Sequence, residues 1–490
     1  MKHNVSFLFF FLSILCIEQS QAQTSATYRY DDIKGDSIHT VVHEKNNLFI
    51  TCSHTSDSRS CFLVESLSPS IKKKFYTTPA INPSHPHTTP LPQGCGLIIN
   101  DLETVQDYEC WFCGQRWEQT GYITYNPYGV AVPETIFCGF VGRFNINNAI
   151  SGSGNVEIMT IPGTINLEHL AVSTGNIITV TESSQLIELT PTSTGYNYII
   201  GRSTHPSEVF MDAVTTNDTV VLLSRFSNPQ HYFYHHDMFA LRYALPSTFV
   251  TSCDSFYRYD TYYINNDHSF GFDTLSPIML CRTNNACGVV VAYITPREDY
   301  REFETTPGKL VLHHIAKKNS DPIEIIKSND NNTYVCIKDL EACSPVIGNT
   351  FIAALLEDSL GKSVLRYPIL QHTYTYLTDT IRRISNVRLQ SLAPYHNPTT
   401  SVASLYAAGY YPANQKKLAK VYDYTVHMHN KEPLPKECFL TSYGTLQYAT
   451  DKTIKLPYNF SFQTMSTGSV SFTTLPYSAV DTSPVTTCLY

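Results

Sequence analysis

A chain of 490 residues, 42% hydrophobic and only 16% charged, has the composition of a globular protein and is too long for one simple core unless its architecture repeats. Its net charge of −8 is spread thinly with no basic stripe, which leaves nucleic-acid binding without electrostatic support. Past the N-terminus no run approaches 18 apolar residues, so no transmembrane helix is expected.

The chain opens with Lys2 and an apolar run from Phe7 to Ile17, followed by Ser20-Gln21-Ala22. That order of charge, apolar stretch and small residues predicts a secretory signal peptide over 1–22, cut after Ala22. The mature protein, 23–490, is then exported: periplasmic, cell-surface or secreted. Leu15 stands before Cys16 where a lipoprotein signal needs a small residue, so a lipid anchor is not expected.

From there one pattern returns along the chain. An apolar strand enters a short polar turn, and a continuously apolar strand follows. The second strands are Asn47–Thr51, Cys110–Cys113, Asn176–Val180, Thr219–Leu223, Gly288–Ala292, Thr350–Ala354 and Ser401–Leu405. Continuous apolar runs bounded by turn residues fit strands covered on both faces. A third strand follows that alternates apolar and polar residues, for example Phe239–Leu245 or Lys417–Val426, with Gly121–Asn126 filling that place in the second copy. Seven irregularly spaced copies, each long enough for four antiparallel strands, predict an all-β fold. Its form is a β-propeller, with seven blades expected and ring closure by the terminal strands. Six blades plus a separate C-terminal segment, or two β-sandwiches, are the alternatives.

Cysteines need a separate reading. Cys110 and Cys113 flank Trp111-Phe112, two residues that favour a strand. Residues three apart on a strand face opposite ways, so this pair is expected to be structural rather than a redox motif or half of a zinc site. Elsewhere in an exported chain, near neighbours suggest disulfides: Cys52 with Cys61, Cys281 with Cys287, and Cys336 with Cys343.

The elements Trp111-Phe112-Cys113-Gly114 and Ile136-Phe137-Cys138-Gly139, with the tract Phe140–Ile146, resemble the FCG…GFIGRFDI hairpins of uncharacterised exported β-propeller-like proteins of the Bacteroidetes. The resemblance implies compartment and fold, not activity. It also implies possible O-glycan sites at Asp-Ser/Thr-aliphatic triplets starting at Asp36, Asp218, Asp273, Asp358 and Asp379, for which turn chemistry is an equal explanation. Against that pattern Gln115–Thr135 reads as a loop inserted between two halves of one hairpin. Trp117, Tyr122, Tyr125 and Tyr128 in it are the candidate recognition residues, because exposed Trp and Tyr give large rigid contact area.

Catalytic signals are weak. His427 and His429 share a strand face, and His235-His236-Asp237 fall in a loop, without a metal motif around either. Asp254, Asp260 and Asp267 lie among aromatics, as a sugar site would need, but turn chemistry explains them as well. No nucleophile elbow or phosphate-cradling loop is present. No cofactor, catalytic residue or metal ligand is assigned. The expectation is a non-enzymatic extracytoplasmic binding protein for a protein or glycan, with a propeller carbohydrate-active enzyme and a structural surface protein as alternatives.

Overall fold

The computed structural model describes residues 25–35, 40–45, 48–54, 60–66, 71–77, 95–105, 108–173, 176–181, 185–204, 208–216, 219–227, 237–244, 253–258, 279–282, 289–295, 308–315, 324–328, 331–346, 349–367, 369–370, 376–397, 402–413, 416–423, 439–448, 454–456 and 462–489. Over these residues the chain is all-β, with one short helix, α1 (Ile146–Ser151).

Strands follow in units of four. After β1 (Ala26–Lys34) come β2 (Val41–Lys45), β3 (Leu48–His54), β4 (Ser60–Ser66) and β5 (Lys72–Thr77). The second unit is β6 (Cys95–Val105), β7 (Glu109–Tyr125), β8 (Ala131–Asn145) and β9 (Ser153–Ile161). The third is β10 (Leu167–Ser173), β11 (Asn176–Thr181), β12 (Gln185–Pro191) and β13 (Tyr196–Ser203). The fourth is β14 (Glu208–Thr216), β15 (Thr219–Ser227), β16 (Asp237–Ala244) and β17 (Cys253–Arg258). The fifth is β18 (Met279–Arg282), β19 (Val289–Thr295), β20 (Lys309–Ile315) and β21 (Glu324–Ser328). The sixth is β22 (Cys336–Val346), β23 (Asn349–Glu357), β24 (Ser363–Tyr367) and, after the two-residue β25 (Ile369–Leu370), β26 (Tyr376–Ile384). The seventh is β27 (Arg388–Asn397), β28 (Val402–Tyr411) and β29 (Lys417–Asp423), and its fourth strand is β1, which pairs antiparallel with β29 from Ala26↔Tyr422 to Tyr30↔Leu418.

All seven apolar runs read from the sequence are second strands, β3, β7, β11, β15, β19, β23 and β28. They are apolar on both faces because, among the described residues, most units have a core cluster on each side. The cores lie between successive units: one cluster joins Phe62 and Ile50 to Phe112 and Phe140, the next joins Trp111 and Val141 to Ile177 and Ile187. Similar clusters lie between the third and fourth, fifth and sixth, sixth and seventh, and seventh and first units. First strands pack in chain order, β2 on β6, β6 on β10, β10 on β14, β14 on β18, β18 on β22, β22 on β27, and β27 on β2. The sequence reading placed residues 121–126 in a third strand; 121–125 extend β7 instead, Asn126 opens the turn that follows, and β8 is the third strand.

The sheets are open, and they are not seven separate sets of four. Three have five strands and two have ten. One ten-stranded sheet forms where β1 touches β3, the other where β30 (Phe439–Tyr448) pairs with both β21 and β26. After β30, the strands β31 (Ile454–Leu456), β32 (Phe462–Val470), β33 (Thr473–Ser478), β34 (Val480–Asp481) and β35 (Val485–Leu489) add to β17, β13, β9, β5 and β1 in turn.

Two seams around the seventh unit are ionic. Glu65 on β4 is buried and takes Lys420 Nζ, the Tyr406 hydroxyl at 2.5 Å and the Tyr30 hydroxyl. Arg382 on β26 pairs at 2.5 Å with Asp423 on β29, which also accepts from Tyr367 and Ser25. Within the sixth unit Arg366 grips Asp379 with two nitrogens and donates to the Tyr334 hydroxyl.

Candidate functional site

In the second unit, β7 and β8 are far longer than their neighbours. The halves expected to be held apart are direct partners, with Cys113 opposite Val141 and Gly114 opposite Phe140. Gln115–Thr135 is therefore not an inserted loop but a continuation of the same hairpin. β6 stops opposite Glu118 and β9 stops opposite Gly139. Beyond these points Gln119–Cys138 is a two-stranded arm with no further strand beside it among the described residues. Seven residues of β7 beyond the sheet extend about 20 Å at strand rise.

Local chemistry explains the tip. The Asn126 Oδ1 accepts the N–H groups of Tyr128 and Val130, both at 3.0 Å, and Gly129 N donates to the Asn126 carbonyl at 2.9 Å. Gly129 has φ +74, in the left-handed region that glycine enters without cost. Lower down, the three residues of β7 between Gln119 and Ile123 face the single residue Glu134 of β8 between Thr135 and Pro133. That bulge on one strand and Pro133 on the other both discourage further strand pairing. Thr120 Oγ1 donates to Glu134 at 2.6 Å across the arm.

Register sorts the side chains into faces. Trp117 opposes Phe137, Gln119 opposes Thr135, Ile123 opposes Pro133 and Tyr125 opposes Ala131, so these share one face, and none is charged. Tyr122, Tyr125 and Tyr128 are 62%, 71% and 90% exposed, with Ile123 at 55% and Phe137 at 45%. Trp117 differs. It is half-buried, and its indole lies so close over Gly96 that a Cβ there would stand 2.4 Å from Nε1. It is the foot of the arm; the three tyrosines are its exposed contacts.

A second constellation was not legible from the sequence. Five first strands carry a register shift at one equivalent place, next to Asp101, His169, Asp212, Asp339 and Ser391. Several of these side chains reach the next unit. Asp101 accepts Leu170 N at 2.8 Å, Asp339 accepts Leu392 N at 2.8 Å, and Ser391 Oγ accepts Val42 N at 3.2 Å. Asp212 lies 3.4 Å from His169 Nδ1, and Glu103 accepts Val172 N at 2.7 Å. Burial pushes the Asp339 carboxyl up to about 6, against the N–H groups of Leu392 and Leu340 that favour its charged form. Burial also carries Asp101 well above the usual carboxylate range, with Asp212 and Glu103 adding to it. The signal was there in the repeated Asp-Leu and Asp-Ala steps at 101, 212 and 339, but unit spacing is irregular and the bulge hides the alignment.

The cysteines correct two expectations. Cys52 and Cys61 are buried and do not bond each other as a disulfide: Cys52 lies opposite Phe62, so Cys61 points to the other face. Cys336 is also free, and it shares β22 with Cys343. Seven residues of strand place their Cα atoms on the order of 20 Å apart, well beyond disulfide reach. The stretch between them is strand rather than turn. Cys287 lies outside the described residues, and with it the Cys281–Cys287 pairing. Cys110 and Cys113 are free, buried and divided between two different clusters, as residues on opposite faces of one strand.

His235, His236, His427, His429, Asp260 and Asp267 lie outside the described residues, as do the triplets at Asp36 and Asp273 and the residue Asp218, whose triplet continues as Thr219 and the buried Val220 of β15. Asp379-Thr380-Ile381 is fully buried in β26 and closed to a glycan, whereas Asp358-Ser359-Leu360 tops an exposed turn. Among the described residues no group of three or more His, Cys, Asp or Glu could hold a metal ion, and no helix is long and apolar enough to cross a membrane. No protein-family model matches the chain, and no curated protein matches it.

Proposed function

We propose that this is an exported binding protein, a seven-bladed β-propeller that recognises a protein or glycan ligand through its hairpin arm. The propeller reading is supported by the seven four-stranded units, by cores that lie between consecutive units, and by first strands whose packing passes through all seven and returns from β27 to β2. Pairing of β1 with β29 is the ring closure such a scaffold needs, and the open, fused sheets are then blades joined at their outer edges. Export rests on the N-terminal signal and agrees with the resemblance to exported Bacteroidetes proteins.

The observation that carries the recognition reading is the arm. An isolated two-stranded hairpin is marginally stable in water. This one stands clear of its sheet with three exposed tyrosines and an uncharged face. Such surface is costly to leave bare and suits an interface core. The buried carboxylates Asp101, Asp212 and Asp339 offer little to the enzyme alternative, since two of them are occupied by backbone N–H groups of the neighbouring units, a stitching role. Replacing Tyr122, Tyr125 and Tyr128 together with Ser tests the reading. The melting temperature should stay within about 1 °C, since exposed substitutions change stability little, while retention on the cell surface or matrix that the wild-type protein binds should fall at least tenfold. Unchanged retention would remove the arm from recognition.

A further inference from the structure

We propose that the C-terminal segment from β31 to β35 is a detachable strap, and that the blade edges beneath it are strand-accepting sites whose partner, when the strap lifts, is the same segment of a second copy of this chain. The strap runs against chain order around the molecule, giving one antiparallel strand to each of β17, β13, β9, β5 and β1. It is held mainly by main-chain pairing. Most side chains of β32 are exposed, both residues of β34 are exposed, and β31 and β34 are three and two residues long.

A few plugs fix its register. Phe462 stacks on Phe210 at 6.0 Å, Phe472 lies between Trp111 and Tyr196, Leu475 enters the core between the first two units, and Tyr477 stacks on Phe75 at 4.2 Å. By contrast β30 is firmly rooted, with Leu446 fully buried and nine residues paired to β26. A rooted strand followed by a lightly held strap is the arrangement that passes from one copy to another, because the swapped contacts equal the original ones. The strongest strand-accepting edges are β13, paired over eight residues with one register shift between Ile200 and Gly201, and β9, paired over six; β17 and β5 add only three and two.

The test uses the full chain with Phe462→Ser, Phe472→Ser and Leu475→Ser, and a labelled synthetic peptide of residues 462–481. The peptide should bind the variant saturably and at least tenfold more tightly than it binds the wild-type protein, whose edges are filled. A scrambled peptide should not bind. Wild-type protein carrying Asn197→Cys and Ser469→Cys, neighbours across β13 and β32, should form cross-linked dimers after annealing at high concentration and only internal links before it. Hydrogen exchange on the wild-type protein serves if the triple variant does not fold: β32 and β33 should open together, ahead of β7 and β11. Equal peptide binding to both proteins, internal links alone after annealing, or a strap that exchanges only with global unfolding would each overturn the proposal.

Discussion

Lys420 is the residue whose loss should be felt most. It is fully buried, its ammonium meets Glu65, and it lies 4.6 Å from the centre of the Tyr406 ring. Burial pulls the Lys420 pKa down and Glu65 pulls it back; burial pushes Glu65 up, and Lys420 with the two phenols more than offsets this and holds it below its usual value. Lys420→Met therefore leaves a buried carboxylate with only Tyr30 and Tyr406 as donors. Breaking a buried pair on one side costs about 3–5 kcal/mol, several degrees of melting temperature in a chain of this size. Because the orphaned carboxylate can take up a proton, the cost should shrink as pH falls from 7 to 5. Glu65→Gln orphans the ammonium instead, and its cost should shrink as pH rises toward 9. The double variant Lys420→Met, Glu65→Gln should melt above either single variant, giving a coupling of about 2 kcal/mol or more. Calorimetric melting of the four proteins at three pH values is the assay. A Lys420→Met protein that melts within 1 °C of wild type at pH 7 would refute the idea that this pair holds the seam between the seventh and first units.

Three further outcomes follow from the geometry. Gly114→Ala places a Cβ 1.9 Å from the Ile98 carbonyl oxygen, backbone that cannot swing away, so it should cost more than about 2 kcal/mol or prevent folding, and chemical unfolding reads it. For Asp339 the folded pKa is raised to about 6 from an ordinary value near 3.8, so the folded state binds the extra proton. Its contribution to stability is present below about pH 4 and is lost as pH rises through 6, and the wild-type minus Asp339→Asn difference in melting temperature should fall over that window. Cys52, Cys110 and Cys113 are buried with thiols pushed up by burial, so folded protein should resist alkylation at these positions at pH 8 and react fully in denaturant; alkylation of any of them in the folded state contradicts the packing.

How much was legible in the sequence depended on what each segment is covered by. The seven second strands could be read because a strand covered on both faces is buried at nearly every position, as in Leu48–His54 and Asn176–Thr181, and so lacks the polar alternation of a half-exposed strand. The strap was hard to read for the converse reason: β32 is held by main-chain bonds and leaves no hydrophobic pattern. The arm was mistaken for a loop because its bulge breaks the alternation and Asn126-Pro127 resembles a long turn, although the turn is only the tip. The disulfide reading failed at Cys336 and Cys343 because closeness in sequence is distance in space along a strand. The candidate tyrosines were legible as exposed aromatics, but Trp117 was grouped with them, since nothing in the sequence marks Gly96 as its seat.

The central claim, that the arm is where this protein meets its ligand, is tested most directly by placing a photoreactive residue at Tyr125 and, as a control, at Leu360, an equally exposed position on a distant turn, 71% exposed like Tyr125. Each protein is produced in its native cells and irradiated there, and the products are resolved by mass. The account predicts a discrete set of adducts from position 125 that is absent from position 360. No adduct from 125, or the same adducts from both positions, would contradict it.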